Sequence, residues 1–187
     1  MQKLLSILLL LFISVITTAC INNFAVQELN NKAKEYLDKG DTETAICRLK
    51  SSLDLDNTVY ETHYNLGIAY LNAKEYENAI KHFDETLQLK PNFPSVFFSK
   101  GVTYEEMFYE IIDDTNDKED KEDIDTTKEE KEAKDKNIKL SPNELLSKSL
   151  ENYKLYLENE KEPSDYNDVS QKIKELEDKL SQLNEKQ

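Results

Sequence analysis

The segment YETHYNLGIAYLNAKEYENAIKHFDETLQLKPNF, from Tyr60 to Phe93, decides the fold of this chain. Its small and aromatic residues recur at helical spacing, which predicts two consecutive helices. Gly67 and Ala79 are small where we expect these helices to cross closely, and Pro91 ends the second helix. The segment therefore predicts one pair of packed helices.

The same pattern recurs along the chain with a fixed period. Tyr36, Tyr70 and Tyr104 are spaced by 34 residues. A small residue stands three positions before each tyrosine: Ala33, Gly67 and Gly101. After the first two tyrosines come a small residue (Ala45 and Ala79), a large apolar residue (Leu49 and Phe83) and a small polar residue (Ser52 and Thr86), in the same order. Such a period is typical of stacked helix pairs, because one pair cannot bury its apolar face alone. Stacked pairs expose a concave surface, and we expect that surface to hold another protein.

The repeat resembles the tetratricopeptide repeat family, and residues 60–93 carry the resemblance best. The family spacing is matched by Leu66-Gly67, Tyr70, Ala79, Phe83 and Pro91. The resemblance implies an all-α fold, a short α-solenoid of about three helix pairs followed by a C-terminal capping helix. It covers about residues 26–109 and 144–163.

The third helix pair is predicted to be split by an acidic insertion. Asp113 stands where a small residue is expected, and the pattern resumes 36 residues late at Ser149, Tyr153 and Tyr156. The sequence Ser141-Pro142-Asn143-Glu144 is a capping box that begins the later helix. The predicted segments are a signal peptide at 1–19, a tether at 20–25, repeats at 26–109, an acidic disordered insertion at 110–142, the second helix of the third pair at 143–163 and a capping helix at 164–187.

Two of these segments allow more than one interpretation. The insertion has too few apolar residues to offset the entropy of ordering, and it is either a solvated loop or a docking segment for a basic partner. The last segment carries an apolar stripe that either closes the repeats or pairs with another helix as a short coiled coil. The stripe consists of Tyr166, Val169, Ile173, Leu176, Leu180 and Leu183.

The N-terminus is typical of a secretory signal. Lys3 precedes an apolar run from Leu4 to Ile16, which is shorter than a membrane span. The following Thr-Thr-Ala-Cys resembles the lipobox of bacterial lipoproteins, with Thr17 where leucine is usual. The resemblance implies that Cys20 is lipidated and becomes the mature N-terminus. An ordinary signal peptide and an uncleaved anchor are the alternatives.

The expected location is the bacterial cell envelope, with the chain held on a membrane by lipid. Ile21 rather than aspartate follows Cys20, which favours the outer membrane by analogy with sorting in some Gram-negative bacteria. The sequence does not indicate on which face of that membrane the chain lies. The short tether from Cys20 to about Val26 places the repeats close to the lipid surface.

Composition excludes several functions. Lys and Arg number 24 against 38 Asp and Glu, and the net charge of −14 argues against nucleic-acid binding. We find no catalytic constellation, no metal site and no cofactor motif, so we do not expect an enzyme. His63 is expected to be a half-buried packing residue and His82 a surface residue, while Cys47 is expected to be a small buried residue on a helix.

The groove is where we expect a partner protein, although the sequence does not identify it. By the register of the repeats, the expected binding residues are Asn30, Lys34, Tyr64, Ile68, Leu71, Asn72, Phe98 and Val102, with Asp38 and Glu105 also exposed. Asn65 matches one member of the family's carboxylate clamp, but the other positions do not, so we reject that specialisation.

The preferred function is a lipid-anchored scaffold or adaptor, an accessory subunit of an envelope assembly machine. One alternative is an accessory lipoprotein that holds a small apolar ligand among Tyr64, Phe98 and Tyr104 for a transporter. A closed pocket would favour that alternative, and an open groove would favour the scaffold. The other alternative is a lipoprotein antigen on the cell surface.

Overall fold

The computed structural model describes residues 23–119 and 140–185, and the side chains of 114–119 are outside this description. All regular structure in these two stretches is α-helical, as predicted. The helices are α1 (23–38), α2 (Thr42–Leu55), α3 (Tyr60–Asn72), α4 (Tyr76–Leu89), α5 (Pro94–Glu119), α6 (Pro142–Asn159) and α7 (Tyr166–Glu185). The chain divides into two compact units, Met1–Pro91 and Asn92–Gln187. Unit 1 thus contains α1–α4, and unit 2 contains α5–α7.

Short turns join the helices of each pair in unit 1. Gly40 has φ of 76° and Lys74 has φ of 58°, so each turn contains one residue in the left-handed region. A residue without a Cβ adopts this conformation at little cost, which explains Gly40. The carboxylate of Asp41 then accepts a hydrogen bond from the Thr44 N–H at 3.1 Å and caps the start of α2.

The α3–α4 pair is packed around Gly67, as the sequence predicts. A Cβ placed on Gly67 would lie 2.4 Å from Cε1 of Phe83, closer than two carbon atoms can approach. The Phe83 side chain is fully buried against this gap. The glycine is therefore required by the close approach of an aromatic ring from the paired helix.

Unit 2 contains the split third pair. The sequence predicts that its first helix, α5, ends at residue 109, but the helix continues to Glu119. The prediction of disorder from residue 110 is thus wrong for 110–119, while residues 120–139 lie outside the described residues. The capping box is confirmed: the Glu144 N–H bonds to Ser141 Oγ, and the Ser141 N–H bonds to the Glu144 carboxylate at 2.8 Å.

The contact between α5 and α6 has the same chemistry as that between α3 and α4. A Cβ on Gly101 would lie 2.9 Å from Cδ1 of Tyr153, and Ser149 Oγ donates a hydrogen bond to the Gly101 carbonyl oxygen at 2.9 Å. Ser149 and Tyr153 are the residues at which the sequence pattern resumes. The late helix therefore completes the third pair.

The apolar stripe of the last segment is largely used within the chain. Val169, Ile173 and Leu176 are buried, and α7 packs along α6 in the opposite direction. Asn143 bonds to Asn184 near one end of the two helices, at 2.9 Å. These contacts agree with a closing helix and contradict a coiled coil through the whole stripe, since its central residues are already covered.

A buried carboxylate links all three helices of unit 2. Glu105 on α5 accepts a hydrogen bond from the Tyr153 hydroxyl on α6 at 2.8 Å and from Lys172 Nζ on α7 at 2.9 Å. The Glu105 bond and charge raise the pKa of Lys172. Burial, followed by the charge of Glu105, raises the pKa of Tyr153. The prediction that Glu105 is exposed is therefore wrong.

Two further observations concern side-chain placement and helix composition. The prediction that Cys47 is buried is wrong, because its side chain is exposed. It lies two residues from both Ala45 and Leu49, and residues two apart face different sides of a helix. Among the described helices, none is both long and apolar enough to cross a membrane.

Candidate partner-binding pocket

A pocket of about 440 Å³ opens between α1 and the first half of α3 in unit 1. Most of its lining residues carry side-chain amides, and Lys34 and Glu61 add one charge of each sign. The lining residues are Asn23, Val26, Gln27, Asn30, Asn31, Lys34, Val59, Glu61 and Asn65. Helix α1 supplies six of them because positions 23, 26, 27, 30, 31 and 34 share one helical face.

Two buried amides form the floor of the pocket. The prediction that Asn30 is exposed is wrong: its side chain is buried, and its Nδ2 lies 2.8 Å from Thr62 Oγ1 and 2.9 Å from Ser52 Oγ. Asn65 Nδ2 donates a hydrogen bond to Asn30 Oδ1 at 2.9 Å. This network joins α1, α2 and α3, so the floor of the pocket is also the contact between successive helix pairs.

The rim of the pocket is exposed and adaptable. Gln27, Asn31, Lys34 and Glu61 are all exposed on the two sides of the opening. Each side-chain amide offers two donors and one acceptor oxygen. An extended peptide presents alternating N–H and C=O groups, which such amides can bind without reading the side chains. The pocket is therefore suited to a main-chain segment rather than to an apolar ligand.

The structure brings together only part of the predicted groove. Asn30 and Lys34 line the pocket, whereas Tyr64, Ile68 and Leu71 are half-buried elsewhere on α3 and Asn72 is exposed at its end. The Tyr64 ring packs at a centroid distance of 6.0 Å from the Phe83 ring.

The two predicted groove residues of unit 2 are half-buried. The Phe98 ring contacts the rings of Tyr153 and Tyr156 edge-on, at centroid distances of 5.6 and 5.3 Å. Val102 lies on the same helix, and Tyr104 is buried. Phe98 thus contributes to the packing of its own helix pair.

Sequence reasoning missed most residues of the pocket wall. Asn23, Gln27, Asn31, Val59 and Glu61 are not among the predicted groove residues. The signal that could have found three of them is the recurrence of amide residues at spacings of three and four at the start of α1. Val59 and Glu61 reach the pocket only through the packing of α3 beside α1.

A pair of histidines links α3 and α4. His63 Nδ1 lies 3.2 Å from His82 Nδ1, and His63 Nε2 donates a hydrogen bond to the Asn57 carbonyl oxygen at 3.0 Å. In the neutral state His82 Nδ1 must therefore donate the bond between the rings. Tyr70 stacks on His82 with an interplanar angle of 11°.

The environment of His82 keeps its ring neutral. Burial and then the neighbouring His63 lower the pKa of His82 to about 4, with smaller effects from Lys81 and Lys50. His82, expected at the surface, is half-buried, and His63, expected to be half-buried, is buried. Within the described residues, no cluster of three or more His, Cys, Asp or Glu side chains is arranged to hold a metal ion.

Comparison with known proteins supports the predicted helix pair. Residues 60–93 match the family model of the tetratricopeptide repeat. The matched segment is similar to this repeat and contains α3 and α4. No curated protein matches the chain.

One solved structure with some likeness is from Bacteroides ovatus ATCC 8483, a protein whose suggested role is protein binding. It shares 14% sequence identity over 83% of this chain and 98% of that chain, with a TM-score of 0.23. A likeness this low carries no argument about fold or function.

Proposed function

We propose that this chain is a lipid-anchored adaptor of the bacterial envelope that binds an extended segment of a partner protein in the pocket of unit 1. The observation that carries the proposal is the amide-rich, open lining of that pocket beside a tetratricopeptide repeat. Binding requires only hydrogen bonds and shape, so the function needs no catalytic residue. The partner serves an envelope assembly machine.

Lipid attachment at Cys20 is the second part of the proposal. The lipobox-like Thr17–Cys20 sequence supports it, and the outer membrane is the favoured location. Asn23 is three positions after Cys20, and an extended chain of that length reaches about 11 Å. The pocket would then lie close to the lipid surface, where it could bind a segment of a membrane protein next to the bilayer.

The small-ligand alternative is less well supported. Its proposed aromatic residues Tyr64, Phe98 and Tyr104 pack within their own units, and the pocket in unit 1 is open and lined by amides. A location on the outside of the cell stays compatible with the adaptor function, and protease treatment of intact cells distinguishes the two faces of the membrane.

The decisive experiment captures the partner and then measures its binding. A photo-reactive residue at Gln27 is crosslinked in native membranes, the captured segment is identified, and the corresponding peptide is titrated against the full chain by calorimetry. Asn31→Trp should fill the pocket and weaken binding about tenfold or more, because lost hydrogen bonds are worth about 1 kcal/mol each.

Lys32→Trp is the matched control, since Lys32 is exposed on the same helix but does not line the pocket. It should leave the affinity unchanged. Equal loss in both variants, or a peptide affinity that neither variant alters, would contradict binding in this pocket.

A further inference from the structure

Large apolar side chains are exposed at one end of unit 1. Phe24 is 71% exposed, Leu89 is 42% exposed and Leu55 is 41% exposed. They are the large apolar residues that the structure records as exposed among the described residues of this unit. We refer to the surface formed by Phe24, Leu55 and Leu89 as the apolar end.

The three residues share this end because consecutive helices run in opposite directions. Phe24 lies at the start of α1, Leu55 ends α2 and Leu89 ends α4. Asn30 in the middle of α1 bonds to Ser52 near the end of α2, so the half of α1 that contains Phe24 extends toward the end of α2.

The second helix pair has the same orientation as the first. Lys90 Nζ at the end of α4 donates a hydrogen bond to the Tyr60 hydroxyl at the start of α3, at 2.8 Å. Asn23 and Val26 in the first turn of α1 line one pocket together with Val59 and Glu61 at the start of α3. The starts of α1 and α3 and the ends of α2 and α4 therefore lie together.

The apolar end is also the end nearest to Cys20 along the chain. Phe24 is four positions after Cys20, which limits their distance to about 14 Å even for an extended chain. No charged residue occurs between Lys3 and Glu28, although charged residues make up 33% of the whole sequence. The chain therefore enters unit 1 without a charge that would resist contact with lipid.

We propose that the apolar end docks on the bilayer, with Phe24, Leu55 and Leu89 entering the lipid interface. This inference rests on the proposed membrane attachment and goes beyond it, because it fixes which surface of unit 1 faces the lipid. The mouth of the pocket begins at Asn23, beside Phe24, so docking holds the pocket at the membrane surface.

Side chains around the apolar end fit an interfacial position. The Lys90 ammonium lies 4.1 Å from the centroid of the Tyr60 ring, and both residue types are favoured where an apolar surface meets lipid headgroups. Asp54, Asp56 and Glu61 add negative charge near the same end. Hydrogen bonds from Thr58 lower the pKa of Asp56, so this carboxylate stays charged. Docking should therefore be stronger on zwitterionic lipid than on anionic lipid.

Tryptophan fluorescence tests the proposal, because the chain contains no tryptophan. Four variants of the full chain each carry one tryptophan: Phe24→Trp, Leu55→Trp, Leu89→Trp and the control Lys39→Trp. Lys39 follows the other end of α1, about 22 Å away at 1.5 Å per residue. Each variant is purified in detergent and reconstituted in phosphatidylcholine vesicles that contain brominated lipid.

The expected result is a blue shift and quenching of the indole fluorescence in the Phe24→Trp, Leu55→Trp and Leu89→Trp variants but not in Lys39→Trp. Replacing both leucines with serine in the Phe24→Trp variant should lower the ratio of docked to undocked protein about tenfold or more, because burying one leucine is worth roughly that factor. Adding anionic lipid should reduce quenching at all three positions of the apolar end.

Three outcomes would overturn the proposal. Quenching in the Phe24→Trp variant alone would show that the tether, not the apolar end, lies at the membrane. A blue shift that depends on protein concentration without vesicles would assign this surface to a second copy of the chain. Quenching that needs added membrane proteins would assign it to a protein partner.

The docking test is independent of the adaptor proposal. The mass of the N-terminal peptide reports whether Cys20 carries lipid, and peptide titration reports the pocket. Quenching in the Leu55→Trp and Leu89→Trp variants reports docking whether the chain is held by lipid or by an uncleaved signal segment.

Discussion

The second and third helix pairs have the same central contact but very different connections. In α3–α4, Gly67 faces Phe83 across a short turn at residues 73–75; in α5–α6, Gly101 faces Tyr153 although residues 120–141 separate the helices. Loop-closure entropy grows only slowly with length, so a long connection costs little extra stability. The comparison shows that the contact between facing side chains, rather than the turn, defines the pair.

The two pairs differ in how tightly the glycine is enclosed and in what surrounds the ring. The Phe83 ring leaves no room for a Cβ at 2.4 Å, whereas Tyr153 leaves slightly more at 2.9 Å. The Tyr153 ring carries a hydroxyl that is satisfied by the buried Glu105. The second pair thus depends on apolar packing, and the third adds a polar network.

The largest expected effect tests the apolar pair. Phe83→Ala should lower the free energy of unfolding by about 3–5 kcal/mol, because it removes a fully buried ring and leaves a cavity. Urea denaturation followed by circular dichroism measures the loss, and hydrogen exchange of α3 and α4 locates it. Phe83→Leu should cost less. A loss below about 1 kcal/mol in Phe83→Ala would contradict the packing role of the ring.

The two glycines should respond differently to a methyl group. Gly67→Ala should destabilise by about 1–2 kcal/mol, because overpacking exceeds the gain in helix propensity. Gly101→Ala should be closer to neutral, since Tyr153 needs a smaller shift. Thermal unfolding of both variants measures the difference. Adding Phe83→Leu to Gly67→Ala should restore part of the stability, and the reverse ranking of the glycines would contradict the comparison.

The polar network of unit 2 should contribute a smaller amount. Lys172→Met removes one partner of the buried Glu105 carboxylate and should cost about 1 kcal/mol in the free energy of unfolding. Lys174→Met is the control, because Lys174 is exposed on the same helix. A double-mutant cycle with Tyr153→Phe measures the coupling between the two partners of Glu105. No coupling would mean that these bonds act independently.

The effect that is smallest at neutral pH should be a pH dependence that belongs to the second pair. The folded state lowers the pKa of His82 from 6.5 to about 4, so the unfolded chain binds more protons between these values. The contribution of His82 to stability is complete above pH 6.5 and is lost as the pH falls toward 4. His82→Gln should flatten the curve of unfolding free energy against pH in this range, as measured by urea denaturation at several pH values. Equal pH slopes in the two proteins would contradict the assignment.

Local spacing explains why the helix pairs could be predicted. Gly67, Ala79 and Phe83 lie on helical faces that a period of about 3.6 residues defines, and the capping box of Ser141 is contained in four consecutive residues. The pattern that resumes at Ser149 predicts the split pair, because the pattern is recognisable without any knowledge of how the intervening residues fold.

The wrong predictions concern features that depend on the direction of a side chain around its helix or on partners far away in the sequence. Ala45 and Leu49, two positions before and after Cys47, are buried, yet the Cys47 side chain is on a different side of the helix and is exposed. The charges after Tyr109 predict a lack of core contacts, and α5 continues to Glu119 nevertheless, since residues such as Glu and Lys have good helix propensity. Asn30 is buried because its partners come from two other helices, and no local pattern contains that information.

The shared network of Asn30 and Asn65 has a thermodynamic consequence. The same amides form the floor of the pocket and the contact between the first two helix pairs. A ligand that binds only when α1 is packed against α2 and α3 stabilises this packing. Loss of the packing weakens binding of the ligand by the same free energy. Affinity for a partner and cohesion of the repeats are therefore one linked equilibrium.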